Sequence, residues 1–134
     1  MSKRLKNIYI AAFCLYLTAV GLLCFMKPSS LPDIGIITLF GIPVDKIVHF
    51  LMFLPYPILA GLVFIDKDRH ALVNIFVLLM LAVIGVGIAY GTEIVQLYSG
   101  YRSYEIADFR SDIRGIAAGT VLAIAYQTYI KLKK

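Results

Sequence analysis

Four long stretches without a charged residue divide this chain of 134 residues. They are residues 7–26, 47–65, 70–92 and 115–130, with 20, 19, 23 and 16 residues. A helix needs about 20 apolar residues, within a range of about 17 to 25, to cross the hydrocarbon core of a bilayer. The first three stretches meet this length, and the fourth is about one turn short. The sequence therefore predicts a protein that crosses a membrane.

The composition supports this prediction because the chain holds more apolar residues than it can bury. Hydrophobic residues make up 60% of it and charged residues 16%, whereas ordinary soluble domains have about half and about a quarter. The net charge of +5 comes mostly from Lys and Arg residues beside the apolar stretches. That placement is typical of orientation in a membrane and does not favour a nucleic-acid partner.

We predict a single all-α domain over residues 1–134, folded as an integral membrane four-helix bundle. Its spans are expected at about residues 7–26, 46–65, 71–92 and 109–130. Pro55 and Pro57 lie within the second span, where each removes an amide proton and displaces the preceding turn, so we expect a kink there. In the first loop, the apolar residues 34–42 are too few to span and are expected to lie on the membrane surface or dip into it.

The distribution of Lys and Arg predicts the orientation, because these residues are enriched on the cytoplasmic side of membrane proteins. With both termini in the cytoplasm, the inner face holds eight: Lys3, Arg4, Lys6, Lys67, Arg69, Lys131, Lys133 and Lys134. The outer face then holds five: Lys27, Lys46, Arg102, Arg110 and Arg114. We therefore expect both termini to be cytoplasmic.

In this orientation most of the other polar groups fall on the outer side. They begin helix two (Asp45, Lys46, His49), end helix three (Glu93, Gln96), or occupy the third loop and the start of helix four (Arg102, Glu105, Asp108, Arg110, Asp112, Arg114). Asp45 and His49 are four residues apart and share a helix face, so Asp45 is expected to hold one ring nitrogen of His49. The sequence thus predicts a polar cluster at one mouth of the bundle.

Two Gly-x-x-x-Gly steps suggest how the last two helices meet. Gly87 and Gly91 form one step, and Gly115 and Gly119 form the other. Small residues at this spacing let helices approach closely within a membrane. We therefore expect helices three and four to pack together through these two faces.

Ionisable groups at a membrane boundary are costly unless they are paired or hydrated, and two interpretations of the polar cluster stay open. In one, the charges are salt bridges that only fix the helix ends. In the other, they line a pocket that binds or modifies a headgroup. For this second interpretation the candidate catalytic residues are His49, Glu93 and Asp45, and the candidate ligand-binding residues are Gln96, Arg102, Asp108 and Asp112.

A metal centre is a weaker alternative for the same residues. His49, Glu93 and one of Asp45, Asp108 or Asp112 would supply one nitrogen and two oxygen ligands. However, only one histidine is available there, and nearby arginines compete for the carboxylates. The prediction we prefer therefore has no metal and no cofactor.

The polar residues also resemble the VanZ-like family of small bacterial membrane proteins. Residues 45–50 read Asp-Lys-Ile-Val-His-Phe, similar to that family's Asp-Lys-x-x-His-Phe, and residues 93–96 read Glu-Ile-Val-Gln, similar to its Glu-x-x-Gln. Arg102, Asp108 and the glycine-rich residues 115–119 follow in the family's order. Asp112 departs from the family, which usually has Asn there.

The resemblance implies a protein of the bacterial cytoplasmic membrane, in the cell envelope. The family's namesake is associated with low-level resistance to the glycopeptide teicoplanin, whose acyl chain would bring it to the outer leaflet. The expected partners are therefore the lipid bilayer and a lipid-linked cell-wall precursor or glycopeptide, with no nucleic acid.

Overall fold

The computed structural model describes residues 2–25, 38–66, 68–100 and 105–132. Its elements in chain order are α1 (Lys3–Phe25), β1 (Thr38–Leu39), β2 (Ile42–Pro43), α2 (Val44–Phe53), α3 (Pro55–Phe64), α4 (Ala71–Ser99) and α5 (Ile106–Leu132). The predicted helical character is confirmed, since 87% of the structure is helical.

Within the described residues, three helical stretches are long and apolar enough to cross a membrane, namely Lys3–Phe25, Val44–Phe64 and Ala71–Ser99. Only 11%, 33% and 22% of their apolar windows are buried inside the protein, so most of this apolar surface faces outward, where lipid would cover it. The prediction of a membrane protein is confirmed at this level. α5 has 27 residues but does not meet the same criteria, and the fourth span stays a prediction.

The second predicted span is divided between α2 and α3 at Leu54, whose φ of −59° and ψ of −41° are still helical. Pro55 and Pro57 begin α3 and have no amide proton, so the carbonyls of Leu51 and Phe53 lose the donors four residues ahead. The helix is thus interrupted at the prolines, while a bend of its axis stays a prediction.

α5 packs against α2, α3 and α4, and two of its glycines set the closest approach. A β-carbon at Gly115 would overlap the carbonyl oxygen of Phe50, and one at Gly119 would overlap the carbonyl oxygen of Leu54. A residue with a side chain at either position would push α5 away from α2. The glycine step of α5 therefore lies against the backbone of α2 and of the junction with α3.

The glycine step of α4 has no such role. A β-carbon at Gly87 or Gly91 would meet no described atom within 4 Å. α4 and α5 do contact each other, but the prediction that the two glycine steps face one another is wrong. The spacing alone does not determine which helix a small-residue face will meet.

The buried apolar residues form two groups along the helices. One lies toward the end of α1 and contains Val20, Cys24, Phe53, Ala89 and Ile116. The other lies toward the α3–α4 turn and contains Ile65, Leu78 and Ala123. Since α1, α2, α4 and α5 all contribute to the first group, it holds together the end of the protein that carries the polar residues.

A short hairpin leads into α2. Its strands pair Thr38 with Pro43 and Leu39 with Ile42, and both residues of the turn have positive φ, 54° at Phe40 and 77° at Gly41. That pair of angles is typical of the two-residue turns that match the twist of a hairpin. The hairpin covers the end of the apolar segment predicted in the first loop; residues 34–37 of that segment lie outside the described residues.

Candidate functional site

His49 is the centre of a buried polar cluster at the end of the protein where α2 and α5 begin. Its Nδ1 lies 2.9 Å from Oδ1 of Asp112, a hydrogen-bond distance, and its Nε2 lies 3.6 Å from Oδ2 of Asp108. His49 is 4% exposed and Asp112 is fully buried. Because Asp112 faces Nδ1, it favours a proton on that nitrogen and fixes the orientation of the ring.

The packing of α5 against α2 creates this contact between residues far apart in sequence. Asp108 and Asp112 are four residues apart and share the face of α5 that meets α2. Gly115, one turn further along, lies against the backbone of Phe50, the residue after His49. The close approach of the two helices at Gly115 therefore brings Asp112 within hydrogen-bond distance of His49.

Glu93 reaches the same cluster from α4, and its carboxylate is hydrogen-bonded to neither His49 nor Asp112. Its side chain is 1% exposed, and neither carboxylate oxygen is bonded within the described part of the chain. Oδ2 of Asp112 is also buried and unbonded in that part. Ligand atoms of His49, Glu93 and Asp112 all lie within 4.8 Å of one another; we call these three residues the buried triad.

Lys46 lies one turn before His49 and joins a second group of acids. Its Nζ is 2.8 Å from Asp45 and 2.6 Å from Glu105, and it also bonds Asp108. Asp45, Glu105 and Asp108, called here the lysine triad, again bring ligand atoms within 4.8 Å of one another. The ammonium group of Lys46 contacts all three acids, whereas the buried triad contains no lysine or arginine.

Asp45 does not hold His49, and this part of the sequence prediction is wrong. Its side chain is 48% exposed and pairs with Lys46, whereas Asp112 takes the ring nitrogen of His49. The spacing of four residues places Asp45 and His49 on one helix face, but it does not exclude a better partner from another helix. The close contact with α5 supplies that partner.

Gln96 lies one turn beyond Glu93 on α4 and connects the site to α1. Its Nε2 donates a hydrogen bond of 3.0 Å to the carbonyl of Cys24. α1 ends at Phe25, so this carbonyl lies in the last turn of the helix. Gln96, predicted as a ligand-binding residue, therefore makes a structural contact here. Arg102, predicted to hold an anion, lies outside the described residues.

The inner side of the buried triad is closed by apolar residues. Phe53 follows His49 by one turn, Ile116 follows Asp112 by one turn, and Ala89 precedes Glu93 by one turn. These three residues belong to one buried cluster. Since each helix changes from polar to apolar at the same depth, the triad lies on an apolar floor that excludes water from the middle of the protein.

A groove between α2 and α5, the α2–α5 groove, lies beside the cluster and has a volume of about 500 Å³. Its basic residues are Lys46, Arg110 and Arg114, and its apolar lining includes Ile42, Ile47 and Phe50. Both arginines are exposed, and neither forms an ion pair among the described residues. The near balance of acids and bases in the sequence favours these arginines as partners of nearby acids. Their spacing of four residues on α5 is the sequence feature that indicates a shared basic face.

The structure thus brings six of the predicted polar residues to one end of the protein: Asp45, His49, Glu93, Gln96, Asp108 and Asp112. No family model matches this chain, and no curated protein or solved structure matches it either. Statements about its function therefore depend on the geometry of this end of the protein.

Proposed function

We propose that this chain is a cell-envelope membrane protein that binds or modifies the anionic headgroup of a lipid-linked molecule. The single observation that carries the proposal is the α2–α5 groove, which combines exposed arginines with an apolar lining and shares Lys46 with the lysine triad. A lipid-linked phosphate has the same two-part chemistry, an anion attached to a hydrocarbon chain.

The groove offers matched contacts to both parts of such a ligand. Arg110 and Arg114 can each form paired hydrogen bonds with phosphate or carboxylate oxygens. Neither arginine forms an ion pair with an acid among the described residues. Ile47 and Phe50 line the same groove and would contact the hydrocarbon chain. Lys46 lines it as well, so the groove adjoins the acids of the site.

His49 is the candidate acid or base if the headgroup undergoes a reaction. Asp112 orients its ring through Nδ1, as a general acid–base histidine requires. Glu93 lies in the same buried group and is the second candidate for proton transfer. The apolar floor beneath the triad limits access by water, which strengthens electrostatic interactions within the site.

The proposal includes a fourth membrane crossing by α5. α5 packs against both halves of the second span and against α4, and its buried face continues from Asp108 to Ala123. A helix that follows membrane-spanning neighbours over this length crosses with them. With both termini in the cytoplasm, as the Lys and Arg distribution predicts, the site would face outward from the bacterial cytoplasmic membrane.

Lipid retention tests the proposal directly. The purified protein in detergent would be mixed with a polyprenyl phosphate or with the uncharged polyprenol, and bound lipid would be measured by native mass spectrometry. We expect selective retention of the phosphate. The double variant R110Q/R114Q should weaken it by about 10-fold or more, since a hydrogen bond to a charged group contributes about 1.5 to 3 kcal/mol.

The matched control is R4Q/R69Q, which removes two arginines from the opposite end of the protein. Arg4 and Arg69 are both exposed, so the change in net charge is the same but the groove is intact. Equal retention of polyprenol and polyprenyl phosphate, or equal losses in the two double variants, would exclude an anion site in the groove.

The resemblance to the VanZ-like family adds a cellular test, since it points to teicoplanin resistance. Cells that express the wild type should tolerate more teicoplanin than cells that express His49→Ala or Glu93→Ala. Identical teicoplanin sensitivity of all three strains, with equal amounts of protein in the membrane, would exclude a role of this chain in glycopeptide resistance.

One observation favours a second candidate, a non-catalytic accessory protein whose charges only fix helix ends. Lys46 joins the start of α2 to Asp108 of α5 and to Glu105, the residue before α5. Salt bridges of this kind would fix the two helix ends together. In that case Asp108→Ala would lower thermal stability while R110Q/R114Q would leave lipid retention unchanged. The lipid measurement therefore distinguishes the two candidates.

A further inference from the structure

The buried triad holds more acceptor oxygens than its surroundings satisfy. Both carboxylate oxygens of Glu93 and Oδ2 of Asp112 are buried and unbonded within the described residues. An unpaired carboxylate is much more costly in an apolar environment than in water. A group that can contact several of these oxygens at once would remove that cost.

The nearby positive charges do not supply such a group. In the described residues the two triads contain five carboxylates, and the only basic side chains that contact them are Lys46 and His49. Lys46 contacts the lysine triad alone. Among the described residues, even a protonated His49 would leave the five carboxylates with only two cations in contact, and the carboxylate oxygens without a partner lie in the buried triad.

We propose that His49, Glu93 and Asp112 bind a divalent first-row transition metal ion such as Zn²⁺ or Mn²⁺. One imidazole nitrogen and two carboxylates form a donor set of the kind that these ions take in proteins. The nitrogen disfavours Ca²⁺ and Mg²⁺, which prefer oxygen ligands alone. The three donors already lie within 4.8 Å of one another.

The surroundings of His49 share one feature with those of a metal-bound histidine, a carboxylate near each ring nitrogen. Such a residue usually donates its second ring N–H to a carboxylate, which fixes the ring and raises its basicity. Here Nδ1 of His49 lies 2.9 Å from Oδ1 of Asp112, and Nε2 lies 3.6 Å from Oδ2 of Asp108. Asp108 is in turn held by Lys46. The metal would replace the proton that Nδ1 shares with Asp112, and Asp108 would position the ring.

This inference uses the same site as the proposed function and deepens it. Three protein ligands would leave a coordination position for water or for another oxygen ligand, such as one from the proposed headgroup. Cation binding itself does not require the lipid, and it can be measured on the protein alone.

The test is Co²⁺ binding to the chelator-treated protein in lipid-free detergent. Co²⁺ occupies sites with nitrogen and oxygen ligands, and its visible spectrum reports the ligands. We expect about one Co²⁺ per chain. Loss of an outer-shell partner weakens metal binding by about 10- to 100-fold. Glu93→Gln and Asp112→Asn each remove a direct ligand and should weaken Co²⁺ binding by more than this. Asp108→Asn should have the smaller effect, about 10-fold, with an altered spectrum.

Glu105→Gln is the matched control, because it removes one carboxylate from the lysine triad and leaves the buried triad intact. It should bind Co²⁺ as the wild type does. Absence of Co²⁺ binding by the folded wild type would overturn the inference without any variant. Wild-type affinity in Glu93→Gln would also overturn it, since the ion would then lie elsewhere.

The metal and lipid measurements separate the two proposals. Retention of polyprenyl phosphate without Co²⁺ binding would reject the metal site and keep the headgroup site. Co²⁺ binding with no preference for polyprenyl phosphate over polyprenol would reject the headgroup site and keep the metal site. Circular dichroism and size-exclusion chromatography establish that each variant is folded before its affinity is compared.

Discussion

The lysine triad and the buried triad lie side by side where α2 meets α5, with Glu93 of α4 completing the buried triad, yet their charges are balanced in different ways. In the lysine triad, Asp45 and Glu105 keep about half of their side chains exposed, at 48% and 52%, and share one ammonium group. In the buried triad, Asp112 is fully buried and Glu93 is 1% exposed. Among the described residues, the first group has solvent exposure and a lysine, and the second has neither.

The difference lies in depth along the helices. His49 and Asp112 are each about one turn further from the mouth of the site than Lys46 and Asp108. At that depth the apolar floor begins, and a protein cation would itself need to be desolvated to reach the carboxylates. A polar cluster near the end of a membrane helix can therefore change from a salt-bridge staple to a ligand site within a single turn.

The largest effect is expected from Lys46→Met, which removes the cation of the lysine triad. Three carboxylates would then face one another across α2 and α5. We expect a loss of about 3 kcal/mol of stability, the low end for breaking a buried ion pair, because two of the acids retain contact with water. Thermal unfolding in detergent measures this loss.

Lys6→Met is the control for that variant, because Lys6 is exposed at the opposite end of the protein. A second change, Asp108→Asn in the Lys46→Met background, should restore part of the stability by removing one of the facing charges. Equal unfolding temperatures for Lys46→Met and Lys6→Met would show that the lysine triad contributes nothing to the fold.

Gly115→Ala should separate α5 from α2 and weaken both triads together. The added methyl group would overlap the carbonyl oxygen of Phe50, so the helices must move apart at a cost of about 2 kcal/mol. Gly91→Ala is the matched control, since no described atom lies within 4 Å of the added carbon. A lower unfolding temperature in Gly91→Ala than in Gly115→Ala would contradict the packing described here.

The same Glu-to-Gln change, made once in each triad, compares how the two triads contribute to stability. On metal-free protein, Glu93→Gln should raise the stability by about 1 kcal/mol, because it replaces an unpaired buried carboxylate with a neutral amide. Glu105→Gln should lower it slightly, because it removes a partner of Lys46. Changes of the same sign in both variants would mean that the two triads do not differ in the way proposed.

The helices were predictable from the sequence because apolar length is a local property. The stretch at residues 7–26 corresponds to Lys3–Phe25, and the helix predicted from residue 71 begins there as Ala71–Ser99. The helices extend beyond several predicted spans because charged residues are tolerated at helix ends, where they reach water. The uncharged length marks the apolar part of a helix and not its termini.

The pairing of the site residues was only partly predictable. The sequence indicated that His49, Glu93 and Asp112 belong to one cluster, because each lies at the same end of a predicted span. It did not indicate that Asp112 would displace Asp45 as the partner of His49. That choice depends on how closely α5 approaches α2, which Gly115 permits and which the spacing of charges does not encode.

Asp45→Asn is expected to have the smallest effect, and it bears most directly on the comparison. Asp45 is one of three acids around Lys46 and is half exposed, so its removal should change the stability by less than about 1 kcal/mol. Co²⁺ binding should also be unchanged, whereas Asp112→Asn should weaken it by more than about 10- to 100-fold. If Asp45→Asn instead weakened Co²⁺ binding as strongly as Asp112→Asn does, Asp45 would be acting on His49 after all. The two triads would then have to be treated as one site, because loss of an exposed acid cannot alter a buried ligand set from which it is electrostatically separate.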